Sequence, residues 1–375
     1  MKSLQKVRKM FPIVQSKIFM NHAAMSPLPK PTVQAVQRFT KAFSETGTIQ
    51  EDPYEPKKSF AELVGATKDE IAFVTNTSTG LNIAAHMLEY PSDSNIVTTD
   101  LEYPSVVYPW LGRRLDAKVR YVKNVNGKIL LDDVEKTVDD NTVALAISHV
   151  EYANGFCHDL RSLAEIAHKH GAYFIVDAIQ SAGVIPIDVK RDNLDFLTAG
   201  CYKWLLGPAG AGFLYVRREL IEKFEPPFIG WASVKPEVFE TIDFWDIWTL
   251  KLSETAARFE VGCPSIYSLI GAIASLQLLL DVGISNIEKC VSALTSRLIE
   301  AVKERGLKLQ TPEEQEYRSG IVNFLIDKPE RRVKRLSKKG IIVSARAHGI
   351  RVSPHFYNTE EEIDQLVKEL KPRKA

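Results

Sequence analysis

What this chain has little of narrows its function first. Its 375 residues include four cysteines, Cys157, Cys201, Cys263 and Cys290, none in a C-x-x-C pair. Neither a disulfide framework nor a zinc site is expected, no metal is called for, and a reducing cytoplasmic setting fits best. Charge of one sign is also missing: 48 Lys+Arg against 47 Asp+Glu leave a formal net charge of +1. A sequence-independent nucleic-acid binder needs a basic excess, so small-molecule partners are favoured. No stretch approaches the ~18 uninterrupted apolar residues of a membrane span. The basic start, "MKSLQKVRKMFPIVQSKIF", is not followed by the apolar run of a signal peptide, and "SLIGAIASLQLLLDVGI" reads as a core helix. Repeats and low-complexity segments are absent. So is a dinucleotide fingerprint, because Gly207, Gly210 and Gly212 follow a G-x-x-G-x-G spacing and lead into a strand, where that fingerprint opens a helix.

What is present is alternation. From about Glu70 to Val216, β-rich runs ("EIAFV", "SNIVTT", "KVRYV", "TVALAISHV", "YFIVDA", "LDFLTA", "AGFLYV") alternate with helical patterns such as "DLRSLAEIAHKHG", which carries Gly171 as a C-cap. The pattern predicts a mostly parallel sheet covered on both faces. After about Pro264 a long helix, the strand "SGIVNFLI", a basic helix "ERRVKRLSKKG", short strands at "IIVSA" and "IRVSP" and a helix from about Thr359 predict a smaller α+β unit. The expected division is residues 20–260 for the large domain, and 1–19 with 261–375 for the small one.

Ligands collect at the carboxyl ends of parallel strands. Three groups stand there. Asp177 ends "YFIVD" with Gln180 three residues on, and a carboxylate among such apolar neighbours needs a cationic or hydrogen-bonded partner; a turn aspartate explains this run alone equally well. Lys203 follows "DFLTAG", and a lysine desolvated by Trp204, Leu205 and Leu206 becomes a neutral nucleophile suited to a Schiff base, with a snorkelling surface lysine as the rival reading. Thr77, Ser78, Thr79 and Gly80 open a helix directly after a strand and offer hydroxyls, free N–H groups and a helix dipole to a phosphate. Phosphate, ring-directed carboxylate and Schiff-base lysine together describe pyridoxal 5′-phosphate.

At these residues the chain resembles a known family. The run "YFIVDAIQSAGVIPIDV" followed by "DFLTAGCYKWLLGPAGAGFLYV" is similar to the class V aminotransferases of fold-type I pyridoxal-phosphate enzymes. The likeness extends through "IFMNHAAMSPLP", "DLEYPSVVYPW", "RFEVGCPS" and "GIRVSPHFYNTEEEIDQLV". The resemblance implies an α/β fold-type I transferase and a homodimer. It makes Lys203 the Schiff-base lysine and pairs Asp177 with the pyridine nitrogen. Gln180 would bond the ring hydroxyl, Tyr103 would stack on the ring, and Thr77 and Ser78 would hold the phosphate with Tyr202 near it. Arg351 would clamp the substrate carboxylate, the turn of Asn21, His22 and Ala23 would close the substrate side, and Ser233 in "FIGWASV" would reach the neighbouring subunit's cofactor.

Departures from the family bear on the reaction. Desulfurase-type members carry a nucleophilic cysteine on a loop before the C-terminal arginine, and "GIIVSARAHGIRVSPHFYNT" has none. Their stacking histidine is replaced by the aromatic of "EYPS", closer to kynureninase-like and isopenicillin-N-epimerase-like members. Tyr152 stands where they place an asparagine. The expected activity is transamination at the Cα amino group of an amino acid, with an amino acid and a keto acid as the small-molecule partners. An epimerase or C–S/β-lyase is the alternative, and a non-catalytic cofactor-binding carrier or regulator a third reading. His149, His168, His170 and His355 are expected to be structural, and Trp245 and Trp248 to be buried at an interface.

Overall fold

The computed structural model describes residues 4–50, 52, 54–112, 117–235 and 247–370. Its centre is a seven-stranded sheet built from β2 (Ile71–Val74), β3 (Asn95–Thr99), β4 (Lys118–Val122), β5 (Thr142–Ser148), β6 (Tyr173–Asp177), β7 (Phe196–Gly200) and β8 (Gly212–Val216), after a short β1 (Ile18–Phe19) that lies elsewhere. The spatial order is β2-β8-β7-β6-β5-β3-β4. Neighbours from β7 to β4 are parallel, whereas β8 runs antiparallel to both β7 and β2. All but β8 therefore point the same way, and their carboxyl ends share one rim.

Period-two alternation splits the strand residues between two cores. Leu145, Ile147, Phe174, Val176, Leu197 and Phe213 pack on one face with the helices Glu55–Val64, Leu160–Lys169 and Ile266–Val282. Ala144, Ala146, Ile175, Phe196, Leu214 and Val216 pack on the other with Thr77–Met87 and Pro104–Leu111. Strands covered on both faces read as apolar runs, whereas β4, at the sheet edge, is exposed at Lys118 and Tyr121.

The long helix expected after Pro264 is two helices, Ile266–Val282 and Ile284–Glu304, bent by 78° at Gly283. The first packs into the large core through Leu269, Ala272, Leu276 and Leu279. A further core begins at Leu294 and gathers Met20, Phe324, Ile350, Ile363 and Leu366. Above it lie β9 (Val322–Leu325), β10 (Ile341–Ile342), β11 (Ser344–Arg346) and β12 (Gly349–Val352), with β11, β12 and β9 forming an antiparallel sheet and β10 pairing with β1 in parallel. The N-terminal segment thereby joins the C-terminal unit. Thr359 caps the closing helix Glu360–Glu369 in a reciprocal box with Glu362. Among the described residues no single helix is long and apolar enough to cross a membrane.

Candidate active site

Five of the co-directed strands deliver chemistry to the rim. β2 leads into Asn76, whose side chain accepts from Thr79 N–H at 2.9 Å and opens the helix Thr77–Met87. This helix sits close to β7: a Cβ on Gly80 would lie 2.2 Å from Thr198 Oγ1, so only glycine lets its N-terminus approach. Thr77 is buried, and its Oγ1 accepts from Gly200 N–H at 3.0 Å, leaving the hydroxyl proton free to donate. Ser78 Oγ meets Ser105 Oγ at 2.7 Å, joining two helix N-termini.

Asp177 closes β6 at 2% exposure. One carboxylate oxygen accepts from Ile179 N–H at 2.8 Å, and burial raises its pKa to about 6 against the opposing pull of Lys203. Lys203 lies three residues past β7 in a turn where Leu206 takes a left-handed φ of 58°, Leu206 N–H bonds Lys203 O and Gly207 N–H bonds Cys201 O. A Cβ on Gly207 would stand 2.8 Å from Cys201 Cβ, so the turn closes only over glycine. Burial lowers the Lys203 ammonium to about 8, Asp177 opposes, and the charges of Arg351 and Arg346 add to the lowering. Its Nζ lies 5.9 Å from the ring centre of Tyr103 and 5.8 Å from that of Tyr202. Tyr103 is 46% exposed and meets Tyr152 edge-on at 5.1 Å. Tyr202 is half-buried, and its phenol is raised by burial and by the Asp177 and Tyr103 charges.

The substrate-side residues arrive from far along the chain. Arg351, 2% exposed on β12, donates from Nη1 to Tyr152 O at 2.7 Å and from Nε to Ser344 Oγ at 3.3 Å, and burial lowers it to about 10. Ala23 O accepts from Gln180 Nε2 at 3.0 Å, and Tyr202 O accepts from Ser26 N–H at 2.9 Å, which seats the Asn21–Ser26 turn beside Lys203. Asn21 Oδ1 is buried there with no hydrogen-bond partner, an acceptor awaiting a donor. Gln180 also accepts from Trp204 Nε1 at 2.9 Å, so one Nε2 hydrogen remains for a ring hydroxyl.

His22 serves another end, and Ser233 is engaged in its own turn. His22, expected to face substrate, is fully buried with Nδ1 on Ser353 O at 2.8 Å and Nε2 on Tyr357 OH at 2.7 Å; burial and neighbouring His355 keep it neutral, and it bolts the turn to the segment after β12. Ser233 has no exposed surface. Its Oγ donates to Glu260 O and accepts from Gly230 N–H at 3.1 Å, so within this chain it closes its own turn. Trp245 lies outside the described residues, while Trp248 is 90% exposed. His168 and His170 face different carboxylates, Asp195 and Asp140.

Reading the sequence missed a carboxyl cluster. Glu102, beside Tyr103, accepts from Ser148 Oγ at 2.7 Å and from Ser148 N–H; burial and the Glu151 charge raise its pKa well above the usual carboxylate range. Glu151, fully buried after β5, meets Thr99 Oγ1 at 3.2 Å and His158 Nε2 at 3.1 Å, leaves Oε2 unpartnered, and is pushed up to about 8 by burial. Both follow carboxyl ends of parallel strands, which is the signal that could have found them.

The donor set fits pyridoxal 5′-phosphate: a desolvated amine, a carboxylate oxygen free for the ring nitrogen, an exposed tyrosine ring over the amine, and a helix N-terminus with free hydroxyl donors. The chain matches the family model for aminotransferase class-V over residues 18–366. It is 32% identical over 370 residues to an uncharacterized aminotransferase, YcbU, of Bacillus subtilis, covering 98% of this chain and 97% of that protein. It is also 32% identical over 403 residues to a probable cysteine desulfurase of Pyrococcus abyssi, covering 97% and 98%. Among solved structures, the apo cysteine desulfurase of Thermococcus onnurineus superimposes with a TM-score of 0.88 at 30% identity, covering 98% of this chain and 97% of that one. The cysteine desulfurase CsdA of Escherichia coli, 23% identical with a TM-score of 0.86 over 98% of both chains, shares the fold. This chain therefore belongs to the class V aminotransferases, fold-type I enzymes whose cofactor is pyridoxal 5′-phosphate.

Proposed function

We propose that the protein is a cytoplasmic, homodimeric aminotransferase acting on the Cα amino group of an amino acid. The observation that carries this reading is a desolvated Lys203 amine lowered to about 8, with no cysteine in the hairpin that precedes Arg351. The hairpin of β11 and β12 turns through Ala347 and His348 alone, so it has no room for a loop cysteine. Burial raises the thiols of Cys157 and Cys201, which keeps them protonated and poorly nucleophilic. The alignment with the desulfurase also runs to 403 positions, more than this chain's 375 residues, whereas that with the aminotransferase needs 370.

In this reading Thr77, Ser78 and the helix N-terminus hold the phosphate, Asp177 faces the ring nitrogen, Gln180 faces the ring hydroxyl, and Tyr103 covers one ring face with Tyr202 at its edge. Pyridoxal 5′-phosphate held by these residues would supply a carbonyl for the substrate amine and an electron-withdrawing ring for Cα. Arg351 grips the α-carboxylate through its fork. Asn21 and Ala23 close the side opposite the sheet. Lys203, its amine poised near neutrality, takes the Cα proton as general base and returns it one position along. Asp177 stays anionic beside the ring nitrogen, so its loss impairs chemistry more than binding.

The test is the absorption of the holoenzyme before and after each of a panel of L- and D-amino acids, with a Lys203→Ala control and assay of the keto product. One amino acid that gives a pyridoxamine-like band and a stoichiometric 2-oxo acid supports transamination. Accumulation of sulfide, pyruvate with ammonia, or the opposite enantiomer assigns the lyase or epimerase branch instead, and absence of any response to amines leaves a carrier.

A further inference from the structure

Arg351 is not alone on its face of the small sheet. β11 and β12 pair with Ser344 opposite Arg351, Ala345 opposite Ile350 and Arg346 opposite Gly349. Directly paired residues point to the same side, and alternation returns Arg346 to the side of Ser344. The bond from Arg351 Nε to Ser344 Oγ confirms that side. On β9, Asn323 pairs with Arg351 and donates to Ala153 O at 2.7 Å and to Arg346 O at 3.2 Å. This face therefore meets the Tyr152–Ala153 loop, next to the ring of Tyr103 and the amine of Lys203.

Arg346 differs from Arg351 in two ways that matter for a ligand, and shares a third feature with it. It is exposed, while Arg351 is 2% exposed. It stands across from a glycine, so no side chain on β12 shields it. Its guanidinium bonds Ala345 O from Nη1 at 3.1 Å and meets no carboxylate among the described residues, and neither does Arg351. The register puts the Arg346 side chain on the same face as that of Arg351, and its charge bears on both Arg351 and Lys203. Three cations thus converge where Asp177 supplies an anion for the cofactor nitrogen. A substrate with one carboxylate occupies Arg351 and leaves Arg346 unanswered. Diagonal neighbours in an antiparallel pair lie roughly 7–8 Å apart at Cα, and two long side chains reaching from them span the ends of a short diacid.

We infer that Arg346 is a specificity-determining residue that binds a second acidic group, so that the preferred amino donor or 2-oxo acceptor is dicarboxylic. This rests on the proposed action at an amino acid's Cα and names the substrate class of that site. An arginine fork matches a carboxylate with two parallel hydrogen bonds, whereas a lysine at the same position supplies the charge without the fork.

The test compares holoenzyme of wild type, Arg346→Gln and Arg346→Lys. Isothermal titration with glutarate and with butyrate reads binding without turnover, and steady-state kinetics with L-glutamate and L-norvaline read it during catalysis. Wild type is expected to bind glutarate more tightly than butyrate; Arg346→Gln weakens glutarate on the order of tenfold and leaves butyrate unchanged. KM for glutamate rises in parallel, any change in kcat from the lost Arg346 charge near Lys203 is shared by glutamate and norvaline, KM for norvaline is unaffected, and Arg346→Lys recovers part of the loss. Equal binding of the two acids by wild type, or an equal loss of both in Arg346→Gln, overturns the assignment. The two readings fail separately: turnover of amino acids without diacid preference removes the role of Arg346 and leaves the proposed function, whereas diacid-selective binding without turnover of any amino acid removes the function and leaves the anion site.

Discussion

Replacing Glu151 by glutamine isolates the cost of keeping a carboxyl where water cannot reach it. Burial pushes Glu151 up to about 8, with the charges of Asp177 and Asp100 adding to the rise and the Thr99 bond opposing it. His158, its partner at 3.1 Å, is held at about 3 by burial, so the pair is a neutral imidazole against a protonated carboxyl at neutral pH. In the unfolded chain a glutamate titrates near ~4.3. Between those two values the folded protein keeps a proton that the unfolded chain has released, so stability falls as pH rises, by about 1.4 kcal/mol per unit. The penalty is absent below the unfolded value and complete above the folded one, where it reaches on the order of 5 kcal/mol. Glutamine has the same shape and never ionises. Urea unfolding of wild type and Glu151→Gln, at saturating cofactor from about pH 5.5 to about pH 9, reads the difference directly. The variant should exceed wild type by about 1.5–2 kcal/mol at the acid end and by about 5 kcal/mol at the basic end, the gap widening as pH rises. A difference independent of pH would mean that Glu151 is already ionised against an imidazolium, and would refute the reasoning.

Gly80→Ala puts a methyl 2.2 Å from Thr198 Oγ1, so the helix that opens the phosphate cradle must retreat; the expected result is a loss of about 1–3 kcal/mol of stability with weaker retention of cofactor, read by thermal unfolding and by dialysis followed by absorbance. Lys57→Met strands Glu260, which is paired to Lys57 Nζ at 2.5 Å and accepts Phe73 N–H at 2.8 Å in a buried setting; urea unfolding should show a cost of about 3–5 kcal/mol, most of it recovered in Lys57→Met/Glu260→Gln. Ala347 carries a left-handed φ of 46° in the turn that joins Arg346 to Gly349, so Ala347→Asn should stabilise by about 0.5–1 kcal/mol, measured by the shift in the urea midpoint. Asp177→Asn should cut kcat on the order of 10²–10³-fold with a far smaller change in cofactor affinity, read by steady-state kinetics and fluorescence titration.

Most strands were legible because burial on both faces leaves an apolar run, β4 at the sheet edge being largely uncovered. The direction of β8 was not announced by its residues, since "GFLYV" reads the same either way. Its direction follows from the connection: residues 201–211 are too few for a crossover helix, and antiparallel return is what remains. Lys203 and Asp177 could be found for the opposite reason to the strands, each being a charge set against apolar neighbours. Glu102 and Glu151 lie beside tyrosines that drew the attention, and a carboxylate just past a strand looks like a solvated loop until Thr99, Ser148 and His158 close around it. His22 carried no local sign of its role, because Ser353 and Tyr357 lie more than 330 residues along the chain.

That distance is also a clue to how the site divides its labour. The groups proposed to hold the cofactor all follow carboxyl ends of the central sheet, whose strand spacing and double burial leave little freedom to vary. The groups proposed to choose the substrate come from the N-terminal turn and the small antiparallel sheet. A few bonds tie them to the sheet: Arg351 to Tyr152 O, Asn323 to Ala153 O, Gln180 to Ala23 O, and His355 to Trp204 O. All four involve a backbone carbonyl, which every residue type supplies. The hairpin can therefore exchange Arg346 or lengthen its turn without moving the backbone that carries Lys203 or Asp177, and a single fold can keep one way of activating Cα while its choice of acid changes at the tip of two short strands.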